Sequence, residues 1–148
     1  MRSAPFMVRK KVFDDIGYFD QVVYAQHLEE SDFCRRASRK GYSVVMVPKA
    51  TIWHDVPVRN WPYRSTRNLH MHSSTRAYYV ARNRIMFMRK YAGPWRFVVF
   101  TVVFLPAISL AHLMIILNEG GIGGQRGAFA SCYVRGLIDG FNPKIHGS

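Results

Sequence analysis

Cysteine is nearly absent from this 148-residue chain, and acid is scarce. The two cysteines, Cys34 and Cys132, are far apart and fit no metal-ligand spacing, so neither a disulfide framework nor a zinc ribbon is indicated and a reducing, cytosolic face is the simpler expectation. The N-terminus "MRSAPFMVRKKVFDDIG" lacks the long apolar run of a secretory signal, and it mixes Asp among its cations where a transit peptide would avoid acids. No internal repeat and no low-complexity tract is found, and the length suits one core. Only 9 Asp and Glu stand against 21 Lys and Arg, a net charge of +12, so the surface should prefer anionic partners such as phosphate, nucleotide, nucleic acid or acidic lipid.

What is present is, first, an uncharged run. Residues 97–117, "FVVFTVVFLPAISLAHLMIIL", are long enough to cross the hydrocarbon core of a bilayer as a helix, with Pro106 expected to kink it. Cations crowd the upstream side at Arg76, Arg82, Arg84, Arg89, Lys90 and Arg96, while downstream only Arg126 and Arg135 are near, which places the N-terminal part on the cytoplasmic face of the cell membrane. Upstream, "STRAYYVARNRIMFMRKYA" has Tyr78, Ala81, Ile85 and Met88 at helical spacing and reads as a basic amphipathic helix. Downstream, "AFASCYVRGLIDGF" is too short and polar to cross again and is expected as a helix lying at the interface.

The earlier half has another texture. "RKKVFDDIG" suits a short helix stopped by Gly17, while "SVVMV" and "ATIWH" are β-rich runs separated by Pro48 and read as strands. Between them, a helix starting near Glu29 would carry Glu29, Glu30 and Asp32 in its first turn, with Arg35, Arg36, Arg39 and Lys40 toward its end and Gly41 as the stop. Macrodipole complementation is a sufficient reason for that pattern. Helical geometry adds a second reading, because Glu30, Cys34, Ala37 and Gly41 share one side with Phe33 beside them, whereas Asp32, Arg36 and Arg39 share the other. On this reading Glu30 faces inward, where a partly desolvated acid can take a proton from a hydroxyl or accept a structural hydrogen bond. His54 ends the second strand, either as a hydrogen-bonded surface residue or as a ligand; His70 and His72 in "NLHMHSS" have no third ligand near in sequence.

Taken together, "IGYFDQVVYAQHLEESDFCRRASRKGYSVVMVPKATIWH" resembles the acceptor-side half of family 2 glycosyltransferases, in particular the rhamnosyltransferase-like branch. The matching positions are Gly17, Phe19 and Asp20, then Glu29, Glu30, Asp32 and Arg36, then Gly41 and Tyr42, then Pro48, Ala50 and His54. "YYVARNRIMFMRKY" and "VRGLIDGF" extend the likeness toward Gly140. The resemblance implies an α/β fold, a partial GT-A (Rossmann-like) domain over residues 1–72, followed by the amphipathic helix over 73–96, the membrane segment over 97–117 and an interfacial helix and tail over 118–148. It implies an inverting transfer from a nucleotide-sugar donor to a lipid-linked or cell-surface glycan acceptor. Glu30 is then the first candidate for the base and Glu29 the second, with Asp32 and Asp20 as acceptor or structural acids and Arg36 and Arg82 as contacts for a diphosphate or headgroup. His54 would help bind the Mg²⁺ or Mn²⁺ on the leaving diphosphate.

The sequence departs from the family's pattern in two respects. Glu30 stands where the family usually has Asp, one methylene shorter, and the loop before the acid pair is one residue longer. The nucleotide-binding half with its Asp-x-Asp motif would precede Arg9, so the chain is expected to be inactive alone, with a further chain able to supply that half. Outside catalysis, the same cations suit a basic membrane-binding or subunit-binding protein. Nucleic acid is not expected as a partner, since the cations are spread through a chain with a membrane segment.

Overall fold

The computed structural model describes residues 7–51, 73–119 and 125–142. Their regular elements are all helical: α1 (Lys10–Ile16), α2 (Glu29–Arg39), α3 (Ser74–Tyr91), α4 (Pro94–Val99), a π-helical turn (Phe100–Phe104), α5 (Leu105–Glu119) and α6 (Arg126–Phe141).

Local chemistry sets the helix ends. Gly17, at φ 77°, closes α1 and donates its N–H to the Phe13 carbonyl. Gly41, at φ 88°, follows α2; its N–H bonds to the Ser38 carbonyl while that of Tyr42 bonds to the Ala37 carbonyl, the paired arrangement of a Schellman stop. Ser73 caps α3 by accepting the N–H of Arg76 at 3.1 Å.

The expected α/β Rossmann-like domain is not what these residues form, for no strand occurs among the described residues. Residues 43–47, "SVVMV", carry no sheet pairing, and Val44, Val45, Met46 and Val47 are exposed. A strand is held by the ladder and apolar faces of its neighbours, and local β-propensity cannot replace them. The second expected strand, "ATIWH", lies mostly outside the described residues.

Two bodies of packing result. In the first, Val12 of α1 and Phe33 and Ala37 of α2 are buried against Phe13, Phe19 and Tyr42, with the Phe19 and Phe33 rings stacked at 4.7 Å. In the second, α3, α5 and α6 bury Ala77, Val80, Ala81, Ile116, Phe129 and Tyr133 around a common centre. Helices α3 and α6 run the same way at very close range: a Cβ on Gly136 would stand 2.3 Å from the Tyr78 carbonyl oxygen, and one on Gly140 2.9 Å from Ile85 Cδ1. Only glycine permits that approach. Helix α6 thus packs its glycine face on α3 and exposes Val134 and Ile138.

Pro94–Asn118 is one continuous helical run, long and apolar enough to cross a membrane. Pro106 is accommodated by the π turn just before it, where the Leu105 N–H reaches back to the Phe100 carbonyl. The wider turn makes room for a proline ring that would otherwise clash with the carbonyl four residues earlier. Its consequence is visible in the buried stripe, Phe100, Leu105, Ser109, His112 and Ile116, whose first step is five residues rather than four. On other sides of the run Val102, Val103, Phe104, Leu110 and Met114 are exposed.

Candidate functional site

The acids of α2 meet the last turn of α3. Asp32 is fully buried, and its carboxylate binds three partners: Arg36 Nε at 2.9 Å on Oδ2, and Lys90 Nζ and the Tyr91 hydroxyl, each at 2.6 Å, on Oδ1. Burial alone would raise this carboxyl, but the hydrogen bonds from Lys90, Tyr91 and Arg36 outweigh it and hold the group below the usual carboxylate range. The same carboxylate, with burial as the larger cause, pushes the Tyr91 phenol well above its ordinary value.

This corrects the helix-face expectation. Asp32 was expected on the side away from Phe33 and Ala37, yet it is buried with them, while Glu30 and Cys34 are only half-buried. The reason is tertiary: a buried carboxylate is tolerated where cations and a hydroxyl satisfy it, and Lys90 and Tyr91 supply these from α3.

Arg36 also donates to the carbonyls of Ile16 and Tyr18, fastening the end of α1 to α2. Arg82, buried, donates to the Val23 carbonyl at 3.2 Å and lies over the rings of Tyr78 and Tyr79. Its neighbour Asn83 donates to the carbonyls of Ala25 and His27. Both cations suggested for a diphosphate or headgroup therefore have contacts within the fold.

The segment these groups hold, residues 20–28, forms the approach to the acid cluster. Asp20 Oδ1 accepts the Val23 N–H at 3.0 Å, closing a local turn. Gln26 at φ 65° and Leu28 at φ 71° are both left-handed without being glycine, and Leu28 stands at the cap position of α2. A small cavity of about 270 Å³ opens here, lined by Gln21, Tyr24, Ala25, Gln26 and Glu29. Glu29 Oε2 is buried with no hydrogen-bond partner among the described residues. Glu30 is next along, near enough to Cys34 for its charge to add to the effect of burial in raising that thiol. Glu29, in the first turn of α2, thus lines this cavity, while Asp32 of the same turn is an anchored anion.

Lys90, Tyr91, Tyr24 and Asn83 were not singled out from the sequence for this site. A signal for Asn83 lay beside Arg82, since two adjacent polar residues interrupt the apolar face of α3. His54, His70 and His72 lie outside the described residues. No group of three or more His, Cys, Asp or Glu side chains able to hold a metal ion occurs among the described residues, and both Asp32 oxygens are taken. The described residues do not fit the implied Mg²⁺ or Mn²⁺.

A separate polar contact lies inside the helical bundle, where His112 Nδ1 and the Tyr133 hydroxyl are 3.0 Å apart, both residues buried. Burial lowers the affinity of nearby Arg84 for its proton, and its Nη1 has no hydrogen-bond partner among the described residues.

No family model and no solved structure matches the chain. It is similar to a dTDP-rhamnosyl transferase, RfbF, of Shigella flexneri, at 28% identity over 115 residues. That stretch is 78% of this chain and 37% of the relative, so the chain spans little more than a third of the curated protein it matches. The likeness suggests a glycosyltransferase in general.

Proposed function

We propose that this chain is the acceptor-side and membrane-attached part of a rhamnosyltransferase-like glycosyltransferase, which moves a sugar from a nucleotide-sugar donor to a glycan or lipid-linked acceptor. The observation that carries the reading is the 115-residue likeness to a dTDP-rhamnosyl transferase. The site adds chemical support: carboxylates at the N-terminus of α2, beside a cavity with room for part of a polar ligand.

In the proposed reaction a carboxylate accepts the proton of an acceptor hydroxyl, that oxygen bonds to the anomeric carbon, and the bond from that carbon to the nucleoside diphosphate breaks. Glu30 is the proposed base from its motif position, with Glu29 as the alternative because it lines the cavity and carries a buried oxygen with no hydrogen-bond partner among the described residues. Asp32 is the positioning residue, since its carboxylate is committed to Lys90, Tyr91 and Arg36. Donor binding belongs to the rest of the enzyme, in the same or a separate polypeptide. The run Pro94–Asn118 is the proposed membrane anchor, with the acid cluster on its cytoplasmic side.

The test uses the complete enzyme, assayed for sugar transfer and, separately, for nucleotide-sugar binding. Glu30→Gln should lower turnover by at least about a hundredfold while donor affinity is kept. Turnover within a factor of a few of the parent would refute Glu30 as base, and the same loss in Glu29→Gln alone would move the role one residue back.

A further inference from the structure

A second cavity, larger than the one beside Glu29, is lined by residues of α3 and of the apolar run. It is an open groove of about 580 Å³ lined by Met88, Trp95, Arg96, Val99, Phe104 and Ile108, among others. Apart from the guanidinium of Arg96 its named walls are apolar. Trp95 is 75% exposed and Phe104 55%, so a large apolar surface faces outward beside one exposed cation. The π turn contributes to this shape, because Phe100 also lines the groove while Phe104, four residues on, stands at the exposed side of the same turn.

We infer that this groove binds one anionic phospholipid of the surrounding bilayer, with its acyl chain along Val99, Phe104 and Ile108 and its phosphate on Arg96. The inference rests on the membrane reading of Pro94–Asn118 made above. Three observations select this occupant. The groove lies on the one described helix long and apolar enough to cross a membrane, so hydrocarbon is the medium its walls would meet. Its polar end is a guanidinium, which pairs with a phosphate oxygen and repels a cationic headgroup. Trp95 adjoins Arg96 at the start of the helix, and such rings favour the headgroup level, where one edge is wet and the other apolar. A soluble peptide would have to cover this apolar wall while a bilayer competed for it.

The full chain, carrying Trp53→Phe and Trp61→Phe so that Trp95 alone emits, is mixed with vesicles of phosphatidylcholine and phosphatidylglycerol. Flotation shows first whether it binds membranes; a chain that stays in the aqueous fraction overturns the membrane reading and the groove with it. In floated protein, dibrominated phosphatidylglycerol should quench Trp95 about fivefold more effectively than dibrominated phosphatidylcholine, the preference one surface cation gives. Arg96→Gln should bring that ratio near one without loss of helix content. Equal quenching by the two lipids in floated parent protein overturns the groove assignment while leaving the anchor intact. Relief of the quenching by a small mole fraction of a polyprenyl phosphate would show a lipid carrier as the preferred occupant and overturn the phospholipid.

Discussion

Lys90 Nζ, in the last turn of α3, lies 2.6 Å from Oδ1 of Asp32 in the first turn of α2. That contact joins the helix pair carrying the acid cluster to the bundle carrying the apolar run, across a sequence separation of 58 residues. Arg36 and Tyr91 complete the set around the same carboxylate.

Asp32→Ala should therefore be far more damaging than a surface change. It leaves Lys90 and Arg36 facing each other without their anion, and breaking a buried pair on one side costs about 3 kcal/mol. Lys90 and Arg36 keep some solvent access, so the lower end of the usual range applies. Urea unfolding of the membrane-reconstituted chain, followed by helix signal, checks the value; a midpoint unchanged from the parent would remove Asp32 as an anchor. Glu30→Gln should change stability little in the same assay.

The acid limb of stability should follow Asp32 as well. Its folded pKa is depressed, so its contribution is fully present above the unfolded carboxylate value, about 4, and is lost as pH falls through the lower folded value. Stability at successive pH values between roughly 5 and 2 should slope downward toward acid, and the slope should flatten in Asp32→Asn. Equal slopes in the two proteins would assign the acid sensitivity to other groups.

Gly136→Ala should separate α3 from α6. The new Cβ would meet the Tyr78 backbone carbonyl at 2.3 Å, and backbone cannot swing aside as a flexible side chain can. A loss of about 1–3 kcal/mol is expected. Gly127→Ala, where a Cβ meets nothing within 4 Å, should be neutral or slightly stabilising. Thermal melts of the two variants side by side give the comparison, and a Gly136 variant as stable as the Gly127 one would rule out the close packing.

Tyr133→Phe removes the hydroxyl facing His112 Nδ1 without changing the ring's bulk. Leaving a buried polar atom unpaired costs about 1–3 kcal/mol. The loss should shrink when His112 is already Leu, and a double-mutant cycle with no coupling between the two would deny the hydrogen bond.

Much of this molecule is legible locally. Gly17 and Gly41 stop α1 and α2 because their positive φ suits a residue without Cβ, Ser73 starts α3 because its hydroxyl can accept an orphan N–H, and the uncharged run around Pro106 declares a long apolar helix. Each of these depends on groups within a few residues of one another. What only the tertiary structure decided depends on partners remote in the chain. Asp32 turned inward because Lys90 and Tyr91 are there to meet it; residues 43–47 took no place in a sheet because none of the described residues pairs with them; and Gly136 and Gly140 became contact points because α6 lies directly on the backbone of α3. Propensity and period act over a single turn or pleat, whereas satisfying a buried charge, completing a ladder and closing two helices to glycine distance all require a second element, whose position no short stretch of sequence contains.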